Sequence, residues 1–390
     1  MDINHEKKFI ELLCGIKGLN GRTGMELINR FGCASAVLGA EEALLKNLLP
    51  PSLVRAVLDL SERAPKNSGP ESGKEKISFV SFFEESYPRR LKEIPDAPLG
   101  IWYIGNLPQS NTPSVAVIGA RQCSAYGEHI ARTLGEYLGK MGVNVISGMA
   151  IGIDGISQSA ALQSGGSSYA VLGCGADICY PASNRGLYEK LPEKGGIISS
   201  YAPGEPALPA NFPPRNRIVS GLSDAVVVIE ARQRSGTLIT VDMALEQGRE
   251  VFAVPGRITD RLSDGCNALI GQGANVFLSP EIFIGELQEI CAAKASAGAY
   301  ESRGSIIPHT RFSKELQKLH KNFSGDETAK PGLTGDEKKV WEKVTLTPRT
   351  IDEICMQLAD MDYTTVSLIL MQLLISGHIR QVSQGCYIRN

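Results

Sequence analysis

Glycine and arginine residues recur where short apolar runs end, and together these residue types favour phosphate binding. The run from Ser114 to Ile118 is followed directly by Gly119, Ala120 and Arg121. Glycine lets a backbone turn sharply and approach a ligand closely, and arginine carries a fixed positive charge with several N–H donors. One such loop is weak evidence by itself, since a turn glycine beside an ion-paired surface arginine has the same sequence.

Three further loops repeat this chemistry later in the chain. One begins at Gly148, the second runs from Asn211 to Ser223, and the third runs from Arg232 to Thr240. Each opens a helical pattern, and the free N–H groups at a helix start attract anions. The residues predicted to face phosphate are Gly119, Ala120, Arg121, Ser124, Gly148, Phe212, Arg215, Asn216, Arg217, Ser235, Gly236 and Thr237.

The elements that must position these loops indicate an α/β fold. The runs VNVISG, SYAVLGCG, AVVVIEA, EVFAVPG and NVFLS are short and apolar, and most are followed by glycine and a helical pattern. This alternation predicts a Rossmann-like, doubly wound and mostly parallel sheet. Because parallel strands end at one edge, we expect the loops to line one crevice that suits a row of phosphates. There Phe212 either stacks on an unpaired base, worth about 1–3 kcal/mol, or packs as a core aromatic.

Composition and periodicity divide the chain into five segments. Residues 1–63 are predicted to form a small helical domain, and residues 64–76 form a linker rich in proline, glycine, serine and charge. Residues 77–285 are predicted to hold the Rossmann-like sheet and residues 286–335 a flexible connector. Residues 336–390 have the helix and hairpin pattern of a winged-helix domain.

Each flanking domain has two open interpretations. The segment GIKGLNGRTGMELINRFG, in residues 1–63, fits a helix-hairpin-helix that contacts DNA phosphates through backbone N–H groups. It fits equally a SAM-like helical bundle in which the glycines only cap helices. In the winged-helix segment, Thr364 and Thr365 start the recognition helix, where DNA readers carry basic or amide side chains. A protein-contact role is therefore as well supported there as DNA reading.

The overall composition limits the possible functions. The net charge is −2 and the pI is near 6.3, so any nucleic-acid site must be local rather than a global basic field. The nine cysteines form no CxxC pair and the five histidines are isolated from one another, so we predict neither a metal site nor a cofactor. The chain shows no signal-peptide pattern and no long apolar run, and we therefore expect a cytoplasmic protein without a membrane span.

Taken together, the motifs resemble the DNA-processing protein DprA (Smf) family. The resemblance covers residues from about Tyr87 to Leu278 and rests on YPRRLKEIPDAP, VIGAR with SAYG, GMAIGIDG, LGCGADICYPASNR, NFPPRNRIVSGLS, SGTLITVDMALEQGREVFAVPG and GCNALIGQGA. It implies a non-enzymatic protein that binds single-stranded DNA at the sheet edge. It also implies that the protein loads the recombinase RecA during natural transformation and forms a homodimer through its Rossmann-like domain.

The resemblance also carries over to individual residues. The family's GSR arginine matches Arg121, with Ala120 in place of the serine. The FPxRNR segment matches residues 212–217, and the SGTLxT loop matches residues 235–240. A lysine that often precedes the phenylalanine has no counterpart in residues 209–211, so the resemblance implies that affinity leans more on the arginines.

Two enzymatic alternatives follow from the same loops. The loop RQRSGTLIT aligns with the PGGxGTxxE loop of lysine-decarboxylase-like phosphoribohydrolases, but Thr240 stands where their carboxylate would be. Asp154 and Glu230 are the nearest acids, and each is more simply a loop or strand-end anchor. A dinucleotide-binding dehydrogenase is disfavoured because Gly119-Ala120-Arg121 departs from G-x-G-x-x-G.

For the homodimer, we predict a contribution from GCNALIGQGA, which includes Leu269 and Ile270.

Overall fold

The computed structural model describes residues 3–63, 77–296, 335–345, 349–358, 361–376, 378–383 and 386–389. The chain forms two units, residues 1–313 and residues 314–390. The predicted linker at residues 64–76 lies outside the described residues, and so do residues 297–334 of the predicted connector. Within the described residues, none of the helices combines the length and the hydropathy that a transmembrane span requires.

A nine-stranded sheet runs through the first unit. Its spatial order is β1-β2-β6-β5-β4-β3-β7-β8-β9. Strand β2 pairs antiparallel with both β1 and β6, and every later pair in this spatial order is parallel. The order reverses between β3 and β7, so loops from these strands leave in opposite directions and open a crevice. The strands are β1 (Ser78–Ser81), β2 (Gly100–Gly105), β3 (Ser114–Ile118), β4 (Asn144–Ser147), β5 (Ser168–Leu172), β6 (Gly196–Ser199), β7 (Ala225–Val228), β8 (Glu250–Ala253) and β9 (Asn275–Val276).

Helices cover both faces of this sheet. Val115 and Val117 of β3 pack into one buried cluster with Leu134 of a helix, whereas Ala116 and Ile118 belong to a cluster on the other face. This alternation is the two-residue period of a strand that is buried on both sides. The helices are α1 (Ile3–Cys14), α2 (Gly21–Phe31), α3 (Ala34–Leu38), α4 (Glu42–Lys46), α5 (Pro51–Arg63), α6 (Arg89–Lys92), α7 (Ala125–Lys140), α8 (Ile153–Gln163), α9 (Arg185–Lys194), α10 (Phe212–Gly221), α11 (Gly236–Glu246), α12 (Asp264–Gly271) and α13 (Pro280–Ser296).

The helix α13 corrects the predicted start of the connector at residue 286. It continues to Ser296 because Phe283 and Leu287 are buried, with Phe283 stacked edge-on against Phe252 at 4.8 Å between ring centroids. An amphipathic helix that buries aromatic area in this way is stable beyond the end of the sheet pattern.

The N-terminal helices pack directly on the sheet. A Cβ added at Gly21 would lie 2.0 Å from the carbonyl oxygen of Ala97, and one at Gly24 would lie 2.2 Å from a methyl carbon of Leu99. The glycines of the predicted hairpin therefore allow α2 to pack closely against residues 97–99, which lead into β2. Nearby, the indole N–H of Trp102 donates to Glu11 at 3.1 Å.

The second unit contains three helices and a small antiparallel sheet among its described residues. Asp362 caps the longest helix by accepting from the backbone N–H of Thr365 at 2.9 Å. On the outer face of this helix Leu368 and Met371 are exposed, and the helix contains no lysine or arginine. The elements are α14 (Gly335–Lys343), α15 (Ile351–Cys355), α16 (Tyr363–Ile375), β10 (Arg349–Thr350), β11 (Ile379–Ser383) and β12 (Cys386–Arg389), with strand order β10-β12-β11.

Candidate functional site

A cavity of about 850 Å³ lies at the reversal of strand order between β3 and β7. Its walls come from the loops after β3, β4 and β7 and from the start of α10. Ten of the twelve residues predicted to face phosphate line this cavity, and Ser124 and Arg217 do not. The ten are Gly119, Ala120, Arg121, Gly148, Phe212, Arg215, Asn216, Ser235, Gly236 and Thr237.

Three exposed arginines line the cavity: Arg121, Arg232 and Arg234. The N-terminus of α11 opens onto the same space, with Gly236 in the lining, and adds the partial positive charge of its free N–H groups. Guanidinium groups and helix N-termini are both favourable for phosphate oxygens. The cavity can therefore bind a ligand that carries more than one negative charge.

Arg215 occupies a different position from the exposed arginines, because it is only 5% exposed. One guanidinium nitrogen donates to the carbonyl oxygen of Gly148 at 2.8 Å and to that of Val171. Its Nε donates to the side chain of Asn216 at 3.1 Å. Burial lowers the pKa of Arg215, and the neighbouring charge of Asp154 opposes this shift. Arg215 thus forms a charged floor beneath the cavity.

The ring of Phe212 has two guanidinium groups near it. The central carbons of Arg121 and Arg215 are 5.8 and 5.7 Å from the ring centroid, within the range of a cation–π interaction. Tyr180 packs on the same ring at 5.6 Å between centroids. Phe212 is half-buried and lines the cavity, so it is a wall of the site rather than a residue of the central core.

Close packing holds the loop after β3 in place. A Cβ at Gly119 would lie 2.7 Å from a side-chain carbon of Ile153, and the carbonyl oxygen of Gly119 accepts from the hydroxyl of Thr237 at 3.2 Å. Ser235 accepts from the backbone N–H of Thr237 and caps α11. The hydroxyls of Ser235 and Thr237 therefore fix the loop geometry.

Ser124 lies outside the cavity because it caps α7. Its side chain accepts from the backbone N–H of Gly127 at 3.1 Å and donates to the carboxylate of Glu230, which also accepts from the backbone N–H of Ser124 at 2.9 Å. Glu230 is 1% exposed and sits at the positive end of α7. The pair is an anchor for the start of α7, as the strand-end interpretation of Glu230 predicts.

Arg217 also lies outside the cavity. Its guanidinium pairs with Asp96 at 3.0 Å and with Glu246 at 3.7 Å. Because residues 212–221 fold as a helix of about 100° per residue, side chains two positions apart point to nearly opposite sides. The prediction that Arg215 and Arg217 share one crevice is therefore wrong for Arg217.

Arg232 and Arg234 line the cavity but are absent from the predicted set, although both stand in the loop RQRSGT. The signal is present in the sequence, since two arginines lie within three residues before the capping residue Ser235. Asp154, expected to be a loop anchor, also reaches the cavity. Asp154 lines the cavity, and its carboxylate accepts from the backbone N–H of Gly148 at 3.1 Å. Burial raises the pKa of Asp154 despite the nearby charge of Arg215.

A doubly wound sheet with exposed arginines and a helix N-terminus at its switch point defines a Rossmann-like protein whose sheet-edge cavity is favourable for phosphate groups. Residues 78–288 match the family of the DNA recombination-mediator protein A, and residues 325–385 match the DprA winged helix domain. The chain therefore belongs to the DprA (Smf) family. The predicted family and the predicted fold class, with its winged-helix domain, are both confirmed.

Known relatives extend this comparison. The chain is 43% identical over 214 residues to the DNA processing protein DprA of Streptococcus pneumoniae, covering 55% of this chain and 76% of the relative. The crystal structure of DprA from the same species has a TM-score of 0.61 at 33% identity and covers 73% of this chain and 99% of that one. A structure that describes the single-stranded DNA binding mode of DNA processing protein A from Helicobacter pylori has a TM-score of 0.51 at 29% identity, covering 55% of this chain and 97% of that one.

Proposed function

We propose that this protein is a non-enzymatic DNA-processing factor that binds single-stranded DNA in the cavity at the sheet edge. It then loads RecA on the strand during natural transformation and recombination. The observation that carries the proposal is the set of exposed arginines, Arg121, Arg232 and Arg234, which line the same cavity as the half-buried ring of Phe212. The Helicobacter relative, whose single-stranded DNA binding mode has been described, supports the same substrate class.

The cavity suits a single strand because its polar and apolar parts match the two parts of a nucleotide. Phosphates have the arginines and the α11 N-terminus as partners. An unstacked base has the face of Phe212, and stacking on an aromatic ring does not depend on base identity. A duplex would keep its bases stacked on one another and could not use this face.

The same proposal includes a homodimer through the Rossmann-like domain and action in the cytoplasm. The eight cysteines with described side chains are all unpaired thiols, which is usual in a reducing compartment. Leu269 is 3% exposed and packs in the core, so it supports α12 from within, whereas Ile270 is half-buried and available to a partner. Sedimentation at micromolar concentration tests the dimer, and a monomer there rejects it.

Oligonucleotide binding across a salt series tests the substrate class. We compare the wild-type protein with Arg121→Ala, which removes a cavity arginine, and Arg217→Ala, which removes an arginine outside the cavity. Arg121→Ala should weaken binding by roughly tenfold and reduce the salt slope by about 0.7, the release expected for one phosphate contact. Arg217→Ala should leave both quantities close to wild type. Equal affinities of wild type and Arg121→Ala would reject this site.

RecA loading has its own test, in which a RecA filament must form on single-stranded DNA already covered by a competing single-strand binding protein. We expect the wild-type protein to shorten the lag of filament formation and Arg121→Ala to lose most of this effect. A lag that the wild-type protein does not change would reject the loading function and leave DNA binding intact.

The phosphoribohydrolase-like enzyme remains the second candidate because one acid, Asp154, lines the cavity and has a raised pKa. Against it, the Asp154 carboxylate already accepts from Gly148, and Glu230 is held by Ser124. Incubation with nucleoside monophosphates tests this activity. Release of free base by the wild-type protein, and its loss in Asp154→Asn, would favour the enzyme.

A further inference from the structure

A short loop at residues 257–262, which follows β8, reaches the same sheet edge as the cavity. Its two ends are held together, since Gly256 and the side chain of Asn267 exchange two hydrogen bonds of 3.1 and 3.0 Å. A Cβ at Gly256 would lie only 2.0 Å from the hydroxyl of Ser263, so the neck of the loop is closed. Surface loops whose ends meet in this way are frequently functional.

Hydrogen bonds inside the 257–262 loop fix its shape. The backbone N–H of Asp260 donates to the carbonyl oxygen of Arg257 at 3.0 Å, and that of Ser263 donates to Asp260 at 2.9 Å. The Asp260 carboxylate accepts from the backbone N–H of Leu262 at 3.0 Å. The acid of the loop thus serves the turn itself, while the loop's two arginines are exposed.

The loop is continuous with the wall of the cavity. Leu262 lines the cavity, and its carbonyl oxygen accepts from the backbone N–H of Ala231 at 2.8 Å, directly before the lining residue Arg232. Its strand, β8, pairs with β7, and neighbouring strands are about 4.8 Å apart. The base of the loop therefore lies roughly 10 Å along the sheet edge from the end of β3.

The 257–262 loop displays an unusual set of exposed side chains. Ile258 is 90% exposed, the highest value among the large apolar residues of the described chain. Arg257 and Arg261 are both exposed, and neither forms an ion pair with any described residue. A closed, hydrogen-bonded loop thus exposes this isoleucine together with two arginines that form no ion pair with a described residue, which indicates a partner that is both anionic and apolar.

We propose that the 257–262 loop binds the continuation of a single DNA strand as it leaves the cavity. Arg257 and Arg261 contact successive phosphates, and Ile258 packs on an unstacked base between them. This extends the arginine series of Arg121 and Arg232 in one direction, from β3 through β7 to β8. The inference rests on the proposed function, because the strand must first occupy the cavity.

The charge of the loop favours a nucleic acid over a protein as the occupant. Its exposed ionic groups are cationic and match a regular row of phosphates, and apolar contact with a base needs no particular sequence. A second copy of this chain is the competing occupant, and it would bury Ile258 without any need for DNA.

Oligonucleotides of two lengths distinguish binding at the loop from binding in the cavity. We measure binding of single-stranded oligothymidylates of about 2 and about 20 nucleotides, lengths below and above the common site size of single-strand binding folds. The short strand fills the cavity alone, and the long strand also reaches the loop. The variants are Arg257→Gln with Arg261→Gln, Ile258→Ser, and Arg55→Gln as a control that removes one exposed positive charge on α5, away from the cavity lining.

The double arginine variant should bind the long strand roughly tenfold or more weakly. Its salt slope should fall by about 1.4, the value expected for the loss of two phosphate contacts. Its affinity for the short strand should not change. Ile258→Ser should weaken only the long strand and leave the slope unchanged. Arg55→Gln should match the wild type at both lengths. All substituted side chains are exposed, and unchanged thermal melting confirms folding.

Three results would overturn the inference. Wild-type affinities for both lengths in the double variant would show that the loop makes no DNA contact. An equal loss at both lengths would show that the loop acts through the cavity. A change of oligomeric state in Ile258→Ser, seen by sedimentation without DNA, would assign the loop to a second copy of the chain. Failure of the wild-type protein to bind either strand would instead reject the proposed function.

Discussion

The guanidinium of Arg215 donates to the carbonyl oxygen of Gly148 at 2.8 Å, and the two residues approach so closely that a Cβ at Gly148 would lie 2.5 Å from a guanidinium nitrogen. The cation is thus held beneath a backbone turn instead of being presented to solvent. The positive charge of the site therefore has two layers, with Arg215 buried below and Arg121 exposed above.

Substitution of the buried Arg215 should lower the free energy of unfolding. In Arg215→Ala, two backbone carbonyl oxygens lose their donor and the buried Asp154 loses a compensating charge, so unfolding free energy should fall by about 3–5 kcal/mol. In Arg121→Ala the change should stay within about 0.5 kcal/mol, because the side chain is exposed. Chemical denaturation of both variants measures the difference, and equal stabilities would contradict the layered arrangement.

Gly119 should tolerate no side chain. In Gly119→Ala the new methyl group meets Ile153 at 2.7 Å, and overpacking of this kind costs about 1–3 kcal/mol. The clash should be relieved in the double variant Gly119→Ala with Ile153→Ala, so the two losses should be less than additive. Thermal or urea denaturation of the single and double variants gives a double-mutant cycle. Strictly additive losses of unfolding free energy would show that the clash with Ile153 does not cause the destabilisation.

The parts of the sheet that sequence reasoning identified share one property. β3, β4, β5, β7 and β8 are four or five residues long with an apolar centre, and they end at glycine or at a loop with a helix start, so periodicity and turn chemistry agree. β6, Gly196–Ser199, escapes prediction because it begins with a glycine and is followed by no α-helix until α10 begins at Phe212. Only its pairing with β5 and β2 makes it a strand.

The site was predictable at the level of loops but not of individual side chains. Parallel strands that end at one edge bring Arg121, Gly148 and Arg215 together from distant parts of the sequence. Which residues of NFPPRNR face the cavity depends on where α10 begins, and a helix start at Phe212 turns Arg217 away. The residue at which such a helix begins depends on tertiary contacts and cannot be predicted from local composition.

Asp96 should link the N-terminal helices to the sheet. It pairs with Arg22 at 3.3 Å and with Arg217 at 3.0 Å, and both contacts are partly exposed. Asp96→Asn should therefore cost about 1 kcal/mol or less in global stability, yet increase hydrogen exchange in α2. Hydrogen exchange with mass spectrometry measures this, and Glu42→Gln, which removes an i,i+4 pair on α4, is the control. Unchanged exchange in α2 would show that the glycine contacts alone hold the helices.

The attachment of α1 should weaken in acid. The Glu84 carboxylate accepts from the backbone N–H of Ser81 at 2.7 Å and from Lys7 at 3.0 Å. Burial favours a higher pKa for Glu84, but these hydrogen bonds outweigh it and the pKa lies below its usual range. A lowered carboxyl pKa stabilises the folded state above the unfolded value of about 4.3, and this stability is lost as pH falls through the folded pKa.

Comparison of wild type with Glu84→Gln across pH isolates this effect. The variant should be less stable than wild type at neutral pH, and the gap should close below about pH 4, where the wild-type carboxylate takes up its proton. Denaturant unfolding at a series of pH values measures the gap. A gap that stays constant with pH would mean that ionisation of Glu84 has no part in holding α1.

The contact between Trp102 and Glu11 gives the protein an internal optical reporter. Trp102 is 2% exposed, packs against Phe79 with 5.0 Å between ring centroids and donates to a carboxylate of α1, so its emission senses whether α1 is docked. The chain has only one other tryptophan, Trp341, in the second unit. In a Trp341→Phe protein, a red shift of the fluorescence on adding single-stranded DNA would therefore report release of the N-terminal helices in real time, without any attached dye.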